Sequence, residues 1–294
     1  MASRKRPRTS DATEQRDYRS PFIPMFEHFR SELDEHHDRR ERIAKASRDI
    51  TAQSKKMIFT LQRTPHLHSD LRENLKTDLE ERRKAIHESF ESISSDLAGS
   101  LRTWRYERQI TGGLQEYIEA LTFGYYLYHQ RLMTQEEIQT ELPNNIHVDA
   151  SDYLLGLYDM TGEMMRYAIT AMATRGVVPG DEEEAVEEED DNVTSESGMD
   201  SDPRVEATKT PQPKRTILTD MRTLRTHLEW LSFELSRSVL KSETEKKAQI
   251  MKESVEKVER SVYGLIVRGS ERPKGWIPDL RETDGHGPEP VETF

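Results

Sequence analysis

Apolar residues recur at intervals of three and four through most of this chain, and no stretch shows the alternation of a half-buried strand. Between residues 22 and 63 the series Met25, Phe26, Phe29, Leu33, Ile43, Ala46, Ile50, Met57 and Leu61 predicts one long helix, stopped at Pro65. Ser69 and Asp70 read as N-cap residues of a second helix, which carries Leu71, Leu75, Leu79, Ile86, Phe90 and Ile93 to about Leu97 and is closed by Gly99. A third, from about Leu101 to Met133, has the stripe Ile110, Leu114, Tyr117, Ile118, Leu121 and Tyr125. Thr134 opens a short helix that ends before Pro143, with Glu137 at the capping-box position. Asp149 or Ser151 caps the next, which reaches about Thr174, where Gly176, Pro179 and Gly180 follow; its apolar face is Leu154, Leu157, Tyr158, Thr161, Met165, Ala168 and Met172. Residues 216–240 and 243–267 resume the same period. The fold class expected is all-α, a single antiparallel helical bundle spanning residues 22–275.

Polarity sets the limits of that domain. A third of the 294 residues are charged and 33% are hydrophobic, so part of the chain lacks the apolar side chains needed to offset ordering entropy. Three segments have this character: residues 1–21, with the basic cluster Arg4, Lys5, Arg6 and Arg8; residues 176–214, an acidic then Ser-, Thr- and Pro-rich insert; and the Gly- and Pro-rich tail 276–294. Each is expected to be disordered. The basic cluster suits either a nuclear-import signal or a nucleic-acid arm.

The net charge of −12 argues against a simple nucleic-acid binder, yet nine of the acidic residues lie in the single run 181–191, which leaves the helical part nearly balanced. There is no cysteine, which excludes disulfides, a thiol nucleophile and cysteine-based zinc sites. No apolar run approaches the ~18 residues of a membrane span, and the N-terminal residues lack the apolar stretch of a secretory signal, so a soluble intracellular protein is expected. Neither a phosphate loop, a zinc-protease motif nor a Ser-His-Asp arrangement is present.

What chemistry remains is carried by acid pairs. Glu116 and Glu119 lie on the polar side of the third helix, and Asp152, Asp159, Glu163 and Arg166 lie opposite the apolar face of the helix that follows Asp149. Spacings of three and four place both carboxylates of a pair on adjacent turns, where they can share one hard cation such as Mg²⁺. The same pairs equally describe a solvated helix face. Ahead of Glu116, Arg102, Trp104, Arg105, Tyr106 and Arg108 interleave base and aromatic, a pattern that suits single-stranded nucleic acid and, as well, an ordinary protein interface. The long first helix offers a further basic surface, including Lys55 and Lys56.

Four blocks, HDRRERIAKASRDITAQSKKMIF, GLQEYIEA, DYLLGLYDMTGEMMR and VYGLIVRGSERPK, occur in order across most of residues 25–275. Their combination resembles the translin-associated factor X family, the catalytic partner of translin. The resemblance implies a translin-like helical bundle and a Mg²⁺-dependent endoribonuclease acting on single-stranded RNA. It places the catalytic and metal-binding carboxylates at Glu116, Glu119, Asp159 and Glu163, with Glu119 and Glu163 the first choice as direct ligands and Glu116 and Asp159 completing the cluster, either as further ligands or by orienting metal-bound water. It also implies RNA contacts at Arg102, Arg105 and Arg108, and a hollow hetero-oligomeric shell with translin that encloses carboxylate faces otherwise open to water. Substrates in the family are RNA-interference passenger-strand fragments or transfer-RNA processing fragments, handled in the cytoplasm and nucleus. The long acidic insert departs from the family pattern. The competing expectation is a non-catalytic helical scaffold that stabilises or regulates its partner, or a nucleic-acid-binding partner of translin.

Overall fold

The computed structural model describes residues 20–181, 215–235 and 241–268; the expected basic tail, acidic insert and C-terminal tail lie almost wholly outside them. Seven helices and no strand occur among the described residues: α1 (Ile23–Leu61), α2 (Glu73–Leu97), α3 (Ser100–His129), α4 (Gln135–Thr140), α5 (Ala150–Arg175), α6 (Ile217–Leu235) and α7 (Lys241–Arg268). The all-α expectation therefore holds.

The chain divides into two compact units, Met1–Arg42 and Ile43–Phe294. In the first, the helix expected from apolar spacing forms, but Phe22, Met25, Phe26, Phe29 and Leu33 are all exposed. Phe26 and Phe29 stack edge to face at 6.4 Å, and Arg39 is ion-paired with Glu35 at 2.6 Å.

The second unit is built around α5, which packs against α3, α6 and α7, while α6 lies on α7 and α2 on α3. Flanked on so many sides, α5 is buried well beyond its expected stripe. Leu155, Met160, Met164, Tyr167 and Ala171 are buried alongside Leu154, Leu157 and Tyr158. Each such large side chain removed from water contributes roughly 1.5–3 kcal/mol. The expectation that α5 has one apolar and one solvated face is corrected here: a helix enclosed by three others must bury its polar positions too, and Asp152 and Glu163 are both buried.

Two glycines set the helix spacing. A β-carbon on Gly113 of α3 would lie 2.7 Å from the Ser47 carbonyl oxygen of α1, and one on Gly156 of α5 would lie 2.7 Å from Ile118 Cγ2 of α3. Only glycine permits these approaches. The Gly113 amide uses its contact, donating to Ser47 Oγ at 3.1 Å.

Helix ends follow local chemistry in most places. Thr134 and Glu137 form the expected capping box of α4, Asp149 caps α5 by accepting from the Ser151 amide, and Gly176 ends α5 in the left-handed conformation at φ 74°. Ser69 and Asp70 do not cap α2, which begins at Glu73 after Arg72 without a side-chain cap bond. Ser69 is instead spent on a turn, its hydroxyl donating to the His66 carbonyl at 2.7 Å. Gly99 belongs to the start of α3 rather than the end of α2, and α3 stops at His129, short of Met133, because Gln130 turns left-handed.

The two ends of the 182–214 segment are tied together. Ile217 N donates to the Pro179 carbonyl at 3.0 Å. Beside it, Asp220 accepts from Tyr126 Oη at 2.9 Å, Gln130 Nε2 at 2.9 Å and Arg215 Nε at 2.8 Å.

Candidate active site

Because Gly156 brings α5 against Ile118, the next two turns of α5 pass beside the residues that flank Ile118 on α3. Glu116 and Glu119 are thereby set near Asp159 and Glu163, and the four carboxylates predicted from the sequence form one electrostatic group. Burial pushes the Glu119 carboxyl up to about 8 from an ordinary 4.5, helped by the negative charges of Asp159, Glu116 and Glu163 in that order and opposed by Lys247. Both Glu119 and Glu163 are almost enclosed, at 8% and 7% exposure. The expectation that the carboxylates stand open to water until a partner covers them is thus corrected for Glu119 and Glu163, which α1, α3 and α5 of the same chain enclose; Glu116 and Asp159 stay partly exposed.

A cavity of about 740 Å³ opens at this group, lined by Glu116, Glu119 and Glu163 together with Lys55, Ile58, Phe59 and Gln62 from α1 and Met165, Arg166, Ile169 and Thr170 from α5. Asp159 is not in its lining. It pairs with Lys247 of α7, whose ammonium also donates to the Leu155 carbonyl at 3.4 Å. Glu116 pairs with Lys55 at 3.2 Å and Glu163 with Arg166 at 2.8 Å. Glu163 is held further by Gln62, whose Nε2 donates to Glu163 Oε2 and to the Glu163 carbonyl, each at 2.9 Å. The Glu119 carboxyl, among the described residues, has neither a hydrogen bond nor an ion pair.

Carboxyl oxygens gathered in a cavity are the ligand type that a hard divalent cation takes, and a cation there would displace the proton that the raised Glu119 carboxyl carries at neutral pH. The unpartnered Glu119, burdened by three neighbouring negative charges, is where added positive charge would relieve most repulsion. The residues present therefore suit Mg²⁺ in kind. They are not drawn together around one point, however: among the described residues no three His, Asp or Glu side chains form a group able to hold a metal ion. Three of the four carboxylates are turned onto Lys55, Arg166 and Lys247 instead.

Other candidates separate cleanly. Asp152, on the same polar side of α5 in the sequence, takes no part, because Thr111 Oγ1 and Gln115 Nε2 donate to its Oδ1, the latter at 2.8 Å. Arg102, Arg105 and Arg108 are exposed on the first turns of α3 and do not line the cavity. Arg105 and Arg108 precede Glu116 and Glu119 by eleven residues, about three turns, so they share their face of α3 roughly 16 Å away. Trp104 beside them is 77% exposed, whereas Tyr106 is a core residue.

Gln62, Lys247 and the pairing role of Lys55 were not anticipated. Lys55, Phe59 and Gln62 stand at i, i+4 and i+7 of α1, a spacing that marks one face, but nothing in the sequence says that this face meets α3 and α5.

Comparison with known proteins gives a concordant result. A model of the Translin family matches residues 38–269. Translin-associated protein X of Rattus norvegicus is 29% identical over 285 residues, covering 89% of this chain and 84% of that protein. The Translin-associated protein X homolog of Schizosaccharomyces pombe is 39% identical over 147 residues, 48% of this chain and 59% of that one. The crystal structure of apo-NeC3PO matches at a TM-score of 0.50 and 16% identity, over 84% of this chain and all of the other, which is a likeness of fold.

Proposed function

The chain belongs to the translin family, and from that premise we propose that it is the carboxylate-bearing subunit of an RNA-cleaving assembly with a translin-type partner, hydrolysing phosphodiester bonds of single-stranded RNA with Mg²⁺. The observation that carries this reading is Glu119, enclosed beside three other carboxylates at the wall of an open cavity, with its own carboxyl raised to about 8. Structural carboxylates are ordinarily hydrogen-bonded or exposed, and a cluster that repels itself is a functional candidate. Support also comes from the similarity to Translin-associated protein X across most of both chains.

On this reading Glu119 and Glu163 hold the ion directly, while Glu116 and Asp159 complete the set. The chemistry a divalent ion would supply there is positive charge, to acidify water and to offset charge developing on the phosphate. The chain's own contribution is positional. Gln62 clamps both the carboxylate and the backbone carbonyl of Glu163, fixing that side chain against the cavity wall. Lys247 balances Asp159, and Lys55 and Arg166 balance Glu116 and Glu163, so that four acids can be kept within one fold without metal. Arg102, Arg105 and Arg108 provide a basic approach along α3 for the RNA backbone. Substrates would be the RNA-interference or transfer-RNA fragments of the family, in cytoplasm and nucleus.

A second reading, a non-catalytic scaffold, is favoured by the ion pairs themselves, which satisfy three of the four carboxylates internally. The deciding experiment is a single-stranded RNA cleavage assay on the chain co-purified with its candidate translin partner, in Mg²⁺ and in chelator. Metal-dependent cleavage should fall on the order of a hundredfold or more in the Glu119→Gln, Glu163→Gln double variant. An unchanged rate would place the active site elsewhere and leave the scaffold as the better account.

A further inference from the structure

Phe59 lines the cavity that holds Glu119 and is 69% exposed, although the adjacent Ile58 is buried in the core. An open aromatic face inside a concave polar site is a cost to the free chain that a ligand would recover. From α5, half-buried Met165 and Ile169 add apolar surface to the same cavity. Its volume of about 740 Å³ lies within the ~300–1,000 Å³ typical of small-molecule sites. Two cations frame it: Lys55, one turn before Phe59 on α1, and Arg166, next to Met165 on α5.

We propose that this cavity seats one unpaired nucleobase of the RNA, stacked on Phe59, with the flanking phosphates met by Lys55 and Arg166. The assignment rests on the RNA-cleaving reading above and adds to it a specificity-determining residue. The charge pattern favours a nucleotide over an apolar protein plug. A plug would cover Phe59, Met165 and Ile169 but would bring nothing to the two cations, whereas a nucleotide carries a flat ring and phosphate together. Lys55 and Arg166 have exposed side chains, 62% and 68%, so their pairs with Glu116 and Glu163 are weak and exchange readily for phosphate. A base within a duplex cannot reach Phe59 without leaving its stack, so the subsite would select unpaired RNA while tolerating any sequence, since every base offers a π-face.

The test uses the full chain co-purified with its translin-type partner, in chelator so that no cleavage intervenes, and a short fluorescein-labelled RNA offered single-stranded or annealed to its complement. Phe59→Ala should weaken single-stranded binding about tenfold, leave duplex binding unchanged, and be rescued by Phe59→Trp. In the same RNA, 2-aminopurine moved through each position should be quenched at one of them by the wild-type assembly and not by Phe59→Ala. Equal Kd values for wild type and Phe59→Ala, equal losses for single strand and duplex, or loss of the partner from the Phe59→Ala assembly would each overturn the proposal, the last pointing to a protein contact. Binding that depends on Phe59 in an assembly that never cleaves RNA would keep the subsite and remove the nuclease reading. Carboxylate-dependent cleavage with no Phe59 dependence would do the reverse.

Discussion

Gly156 of α5 lies so close to Ile118 of α3 that a β-carbon would sit 2.7 Å from Ile118 Cγ2 and 3.2 Å from the Gln115 carbonyl oxygen. This contact sets the separation of the two carboxylate-bearing helices. Gly156→Ala must push them apart, and overpacking of this kind costs roughly 1–3 kcal/mol. A lowered denaturation midpoint together with RNA cleavage reduced more than Kd is the expected outcome; wild-type stability would show that the contact yields freely.

The raised Glu119 carboxyl makes stability depend on pH in a defined sense. Between the ordinary value of 4.5 and about 8 the folded chain holds a proton at Glu119 that the unfolded chain has lost. Folding stability therefore falls as pH rises through this window and levels off above it, by up to a few kcal/mol. Glu119→Gln should remove that component, so denaturation midpoints of wild type and variant, measured without divalent ions, should diverge as pH is raised from 5 to 8. Parallel curves would mean that Glu119 titrates normally.

Lys247 holds Asp159 with a positive charge, and by the proposed reading it competes with Mg²⁺ for the same carboxylate group. Lys247→Met should strengthen divalent binding by a factor of up to about five, because partly exposed ion pairs are worth up to ~1 kcal/mol. Calorimetric titration with Mn²⁺ measures it, and unchanged affinity would dissociate Asp159 from the metal set.

Replacing residues 182–214 by a short Gly-Ser linker should change stability by no more than about 1 kcal/mol, since the hydrogen bond from Ile217 to Pro179 already joins the described residues on either side. Asp220→Ala is the contrasting case. It leaves the buried Tyr126 hydroxyl without its acceptor, while Gln130 and the exposed Arg215 keep their bonds to each other's carbonyls, and should cost about 1–3 kcal/mol. Thermal or chemical denaturation of the two variants side by side compares the contribution of residues 182–214 with that of Asp220.

The helices and their order were legible because apolar spacing of three and four depends only on residues near in sequence. So were Glu116, Glu119, Asp159 and Glu163, as acids at helical spacing whose selection came from the resemblance. Which polar positions are buried was not legible. Asp152 and Glu163 look alike on the helical wheel of α5, but one meets Thr111 and Gln115 and the other meets Gln62, a distinction made entirely by distant chain. Gly156 and Lys247 were missed for the same reason: a helix's partners are fixed by tertiary packing, which local periodicity does not encode. Phe26 and Leu33 gave the helix correctly but not their exposure, since apolar spacing cannot say whether a stripe finds a cover.

The enclosure of α5 by α3, α6 and α7 bears on how the protein moves. A helix in that position cannot fray while its neighbours remain folded, so its amides should exchange with solvent only through global opening, at the slowest rates in the chain. Asp159 and Glu163 ride on that helix. Whatever flexibility substrate entry demands must then come from α1 or α3, the other walls of the cavity, while Asp159 and Glu163 keep their places up to the temperature where the bundle melts.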